Sequence, residues 1–172
     1  NIYRVPPGGG APQVVATGFT NIIDLAFDDR GTLYVLQIGN GFAGPGGPPL
    51  NPPGQLIRVN PNGSRTVVYA GLFYPGGVAI GPDGAAYVTN FGSTTVSMVQ
   101  LAAKTVAATL PSGGNRPTGV AVTPDGTTLF VASYADGTIN VIDIASSKLR
   151  SGVAVGANPT GLAISVRNAS AS

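Results

Sequence analysis

The sequence has no cysteine, no histidine and no tryptophan, and its seven acidic residues are all aspartate. Without cysteine there is no disulfide framework and no thiolate metal site. Without imidazole or glutamate, most general bases, the commonest metal ligands and most partners that activate a nucleophile are missing. Charge of either sign is scarce: charged residues are 9% of the 172, and the net charge is only +2. No run of Lys or Arg occurs, so nucleic acid is not an expected partner. No apolar stretch approaches the ~18 residues that would suggest a membrane-spanning helix. No catalytic residue, cofactor or metal is expected from this composition.

What is present is repetition. The phrase PTGVAVTPDGTTLFVASY, from Pro117 to Tyr134, sets two apolar runs around a turn at Pro124-Asp125-Gly126. Asp-Gly between β-branched and aromatic runs is a hairpin signal, because Gly accepts the positive φ such turns demand. The phrase returns as PGGVAIGPDGAAYVTNF (Pro75 to Phe91), as IIDLAFDDRGTLYVLQ (Ile22 to Gln37), and in short form as PTGLAIS (Pro159 to Ser165). Aligned on Asp24, Gly77, Gly119 and Gly161, the copies are 53, 42 and 42 residues apart. A period near 42 matches the ~40–45 residues of a four-stranded propeller blade. The longer first interval holds a Gly/Pro-rich insertion, residues 39–53, read as one loop with even claims to be a contact surface or decoration.

Each period carries four strand-like runs, and no window has clean helical periodicity. The expected fold is all-β: one β-propeller domain of about four blades, the last divided between the termini. Residues 1–18 give the third and fourth strands of that split blade, 19–71, 72–113 and 114–156 give whole blades, and 157–172 gives a first strand and tail. The opening Ile2-Tyr3-Arg4-Val5 parallels Leu56-Ile57-Arg58-Val59, and Leu162-Ala163-Ile164 closes the chain as a lone strand. These residues are the candidate assembly strands. The chain opens at Asn1 rather than Met and ends in an incomplete blade, which also fits a processed form or a piece of a larger propeller.

TPDGTTLFVASYADGTINVIDIASSK, with Tyr87-Val88-Thr89-Asn90 upstream, resembles the YVTN family of β-propeller repeats. GGGAPQVVATGFTNIIDLAFDDRGTLYVLQIG and GQLIRVNPNGSRTVV resemble ScyD/ScyE-type proteins, which are NHL-like propellers. The resemblance implies the propeller fold. It implies function weakly, since such repeats serve adhesion, scaffolding, ligand binding and some catalysis. Metal-dependent lactonase-like propellers are similar in fold but use acidic ligands including Glu, which this chain lacks.

Individual residues have plain readings beside sharper ones. Asp24 stands where the other copies have Gly and is either a channel-facing acid or, by preference, a hydrogen-bonded polar residue at a strand start. Asp28-Asp29 reads as a solvated turn rather than a Ca²⁺ loop. Tyr34, Tyr87 and Phe130 occupy one repeat position and read as inter-blade packing, with a stacking platform as the alternative. Asn62-Gly63-Ser64 and Asn168-Ala169-Ser170 are N-glycosylation sequons, so Asn62 and Asn168 are candidate glycan sites.

Two functional readings follow. The first is a non-catalytic extracellular or cell-surface module that assembles with itself head to tail into a filament or surface layer, because a strand pair at one end and a lone strand at the other are complementary unpaired edges. The second is a small-molecule binder or lactonase-like propeller using the channel mouth.

Overall fold

The structure, a computed structural model, describes residues 1–39 and 53–165. Fourteen strands and no helix are found among them: β1 Ile2–Arg4, β2 Gln13–Ala16, β3 Ile22–Phe27, β4 Leu33–Gln37, β5 Gly54–Val59, β6 Arg65–Leu72, β7 Pro75–Ile80, β8 Ala85–Asn90, β9 Thr95–Gln100, β10 Thr105–Pro111, β11 Pro117–Val122, β12 Thr128–Ser133, β13 Thr138–Asp143 and β14 Lys148–Ala154. They form three four-stranded antiparallel sheets in simple chain order, β3–β6, β7–β10 and β11–β14, and one two-stranded sheet, β1–β2. These are the blades of a β-propeller, and the all-β expectation holds.

The turns form as their residues dictate. In the β11–β12 hairpin Thr123 N donates to Thr128 O at 2.9 Å, and Gly126 takes φ +71, a left-handed conformation that Gly adopts without a Cβ penalty. Asp125 holds the same turn by accepting from Thr127 N and from the hydroxyls of Thr123 and Thr127.

Packing is between sheets, face to face. Alternate residues of each second strand face opposite neighbours. Tyr34 and Leu36 of β4 pack with Val78, Ala86, Val88 and Val99 of the next blade. Tyr87 of β8 packs with Val120, Leu129, Val131 and Ile142 of the blade after. The two-stranded sheet covers the opposite face of the first blade, with Ile2 and Ala16 against Leu33, Val35, Ile57 and Val59. Burying each Val, Leu or Ile side chain among these contributes roughly 1.5–3 kcal/mol. Tyr34 and Tyr87 are therefore inter-blade residues, as expected. Phe130, their equivalent in the last blade, is only half-buried.

The blades also meet along their first strands. Each first strand has a register irregularity near its start, at Ile22/Asp24, Pro75/Gly77 and Pro117/Val120. Such bulges bend a strand and re-aim its residues. There the backbones nearly touch: a Cβ on Gly77 would lie 2.5 Å from the Thr118 carbonyl oxygen, and one on Gly119 would lie 2.9 Å from Gly161. The expectation of a strand at Gly161–Ser165 is corrected: residues 161–165 pass beside β11 but pair with no strand. A first strand is held by a second strand on its free edge, and the described residues supply none. Val5 likewise lies just beyond β1. The insertion, residue 39 and Pro53 apart, falls outside the described residues.

Gly77→Ala is expected to lower unfolding free energy by about 1–3 kcal/mol, because the backbone it would meet cannot step aside. Gly161→Ala, whose Cβ would meet nothing within 4 Å, is expected to be near neutral. Urea denaturation of both variants checks the contrast; equal losses would contradict the close approach as the governing contact.

Candidate functional site

Three features of the described residues carry the chemistry: the seam of first strands, a groove beside the two-stranded sheet, and the two faces at the ends of the arc.

Along the seam, each blade reaches the next by one polar side chain. Asp24 accepts from Val78 N at 2.9 Å with one carboxylate oxygen and from Leu25 N at 2.8 Å with the other. Thr89, fully buried, donates its hydroxyl to the Thr118 carbonyl at 2.6 Å. Thr118 in turn donates to the Pro159 carbonyl at 2.8 Å. Asp24 is thus a structural tie, the plainer of its two readings. Thr89 and Thr118 were not singled out from the sequence. Their signal lies in the repeat: a Thr sits beside the first-strand Gly or in the second strand where small neighbours leave the backbone within reach.

The groove lies between β1 and the first blade, about 860 Å³ in volume. Arg4, Arg30 and Arg58 line it with Asp28, Tyr34 and Phe27. Distance in sequence hides this convergence, because the three arginines come from β1, the β3–β4 turn and β5. Asp28 is turned toward its own loop, accepting from Thr32 N at 2.7 Å and Arg30 N at 3.1 Å. It also hydrogen-bonds the Tyr34 hydroxyl, whose pKa is raised first by burial and then by the Asp28 charge. Three guanidiniums against one committed carboxylate favour an anionic, oxygen-rich ligand. Asp28 is in a turn, as expected, and no Ca²⁺ loop forms around it among the described residues.

Asn62 sits exposed at the β5–β6 tip, its side-chain oxygen accepting from Ser64 N at 3.0 Å and from the Ser64 hydroxyl at 2.7 Å. Asn168 lies outside the described residues.

At the ends of the arc, apolar side chains face outward. Tyr3 and Val14, opposite each other across β1–β2, are 54% and 55% exposed. At the other end Phe130, Val141, Ile139 and Val153 share the outer face of the last blade, paired Phe130 with Val141 and Ile139 with Val153. No sheet covers that face among the described residues. Of the assembly candidates, Ile2 is buried under the first blade, Tyr3 and Arg4 are exposed, Leu162 is half-buried, and Val5, Ala163 and Ile164 are exposed.

Residues 15–168 match the family described as the SMP-30/gluconolactonase/LRE-like region. The chain belongs to the SMP-30/gluconolactonase/LRE-like family. A 59-residue stretch is 46% identical to the PE-PGRS family protein PE_PGRS18 of Mycobacterium tuberculosis, covering 34% of this chain and 13% of that protein. In fold, 95% of the chain superposes on 52% of a functionally unknown protein from Desulfotomaculum acetoxidans DSM 771 (TM-score 0.71, 19% identity). A chain of a nidogen/laminin complex matches 91% of this one over 57% of its own length (TM-score 0.72, 17% identity). The chain thus spans about half the length of these structures and a small part of the mycobacterial relative.

The family's description includes gluconolactonase, and the described residues bring together no donor set for a metal-dependent hydrolytic centre. Among the described residues no three acids, imidazoles or thiols come together. Three further Asp have local work: Asp83 accepts from Tyr87 Oη at 2.9 Å, Asp136 from Asn115 N at 2.7 Å, and Asp143 from Ser146 N at 2.8 Å while pairing with Arg150.

These bonds set the pH response. The Asp143 carboxyl is lowered to about 2, first by the Ser146 backbone bond, and Asp125 and Asp136 are lowered by their own hydrogen bonds. A depressed folded pKa stabilises above the unfolded value and is lost as pH falls through the folded one. The Tyr87 hydroxyl is raised, first by burial and then by its bond to Asp83. That contribution is full below the unfolded tyrosine pKa and lost as pH rises past it. The melting temperature is expected to be flat through neutrality, to fall below about pH 4 and again above about pH 10. Tyr87→Phe should remove part of the alkaline fall; an unchanged alkaline limb would contradict the assignment.

Proposed function

We propose that the chain is a non-catalytic interaction or structural module, working outside the cell, which associates with itself head to tail by completing its split blade. The observation that carries this reading is the pair of uncovered apolar faces, one at each end of the arc and each of a kind that is covered at every other blade boundary. Blade-to-blade contacts use Tyr34 and Tyr87, and Phe130 repeats that position with no sheet over it among the described residues. Large exposed apolar clusters on a chain with so little charge mark surfaces that take a partner. The absence of Glu and His from the sequence, and the local hydrogen bonds of six of its seven Asp residues, support a non-catalytic role. The exposed Asn62 sequon supports a glycosylated, extracellular setting.

A second reading is favoured by the arginine-lined groove: binding of a small sugar acid or similar anion by Arg4, Arg30 and Arg58. It is compatible with the lactonase-like alternative in ligand class, without hydrolysis.

The test is solution mass by light scattering on the native chain and on a chain lacking residues 159–172. Self-association predicts species heavier than the 17.1 kDa monomer, lost on truncation. A uniform 17.1 kDa particle at all concentrations would overturn it. In the same preparation, gluconate that raises the melting temperature, with the rise lost in Arg58→Ala, would favour the second reading.

A further inference from the structure

We infer that Asn62, at the tip of the β5–β6 hairpin, is a site of spontaneous deamidation, where the folded chain converts its own asparagine to aspartate and isoaspartate. Asparagine is among the thermolabile residues, and its loss depends on the residue that follows it. The nucleophile is the next main-chain nitrogen, which must reach the side-chain amide carbon. Glycine allows this because it has no Cβ to obstruct the approach. Among the described residues Asn62 is the one asparagine that precedes glycine. Asn60 and Asn158 precede proline, whose nitrogen has no proton to lose, and Asn140 precedes Val141 and is buried. A second pair, Asn40-Gly41, lies outside the described residues.

The turn prepares the amide for attack. Asn62 is exposed, so hydroxide and water reach it. Its Oδ1 accepts from Ser64 N at 3.0 Å and from the Ser64 hydroxyl at 2.7 Å. Two donors on that oxygen draw electrons from Cγ, and they already sit where negative charge develops when the carbon is attacked. Gly63 holds φ at +79, and its N–H donates to the Asn60 carbonyl at 2.8 Å. That single bond has to open before the nitrogen can attack, so it sets the pace of the reaction and not its position.

The step needs only water as co-reactant. Hydroxide removes the proton from Gly63 N, and the nitrogen bonds to Asn62 Cγ. The Cγ–Nδ2 bond then breaks, and ammonia leaves with a proton taken from water. The product is a cyclic imide across Asn62 and Gly63. Water opens it at Cγ to give aspartate, or at the main-chain carbonyl carbon to give isoaspartate. Either product carries a new carboxylate, which takes the net charge from +2 to +1. Either also erases Asn62-Gly63-Ser64 as a glycan acceptor, because the sugar is attached to asparagine alone. The inference is independent of the glycan reading: the unmodified amide is the reactant, and a sugar on Nδ2 withholds it.

The experiment ages the folded chain, made in a host without N-glycosylation, in mildly alkaline buffer and follows it by peptide mapping. Trypsin cuts after Arg58 and Arg65, so residues 59–65 leave as one peptide holding Asn60 and Asn62. That peptide is expected to gain the mass difference between Asn and Asp and to become a substrate for isoaspartyl methyltransferase. Circular dichroism should stay unchanged, and the Asn90 and Asn115 peptides should keep their mass. On isoelectric focusing an Asn40→Gln chain should still show one acidic step, and a chain carrying Asn40→Gln and Asn62→Gln should lose it. A 59–65 peptide that stays unconverted in the folded chain, including one that converts only in urea, would overturn the inference. Equal conversion at Asn90 or Asn115, or an acidic step that survives both substitutions, would overturn it too.

Discussion

The close approach of first strands is the contact on which the rest of the molecule depends. At Gly77 and Gly119 the backbone of one blade lies where a side chain would otherwise be, and a bulge in each first strand turns it toward that contact. Once the inner strands are this close, the second strands must interdigitate. Tyr34 and Tyr87 fill the wedge that opens outward, and Thr89 and Thr118 satisfy carbonyls that no ladder reaches. Glycine therefore sets the spacing, the aromatic residue fills it, and threonine removes the polar cost of it.

The same geometry explains the apolar faces that bound the described residues. Every blade carries a face meant for its successor and a face meant for its predecessor. Among the described residues, one of each is left over. The Phe130 face and the Tyr3 face are these remainders, and they are apolar for the reason that the buried boundaries are apolar. Exposed hydrophobic residues here are a consequence of periodicity, so their partner should be built on the same period.

The fold was legible because its signals are local and repeated. Pro-Asp-Gly turns, alternating runs and a 42-residue interval are enough to place the strands of the three blades. Tyr34 and Tyr87 could be assigned to inter-blade packing by position alone. What was not legible depends on contacts across blades. Thr89 looks like any strand threonine until the Thr118 carbonyl is seen beside it. Arg4, Arg30 and Arg58 converge only when β1 is laid against the first blade. The lone strand expected at Leu162-Ala163-Ile164 was read from its likeness to earlier copies, but strand pairing needs a partner edge that no local pattern supplies. Asp24 could be given its plainer role from the sequence, though not its bond to Val78.

The absence of cysteine makes the central claim open to a direct chemical measurement. Chains carrying Gly161→Cys and Ile23→Cys together, oxidised at low concentration and run without reductant, report which ends meet. Head-to-tail association predicts cross-linked species of two chains or more. Chains that stay uncross-linked would contradict it.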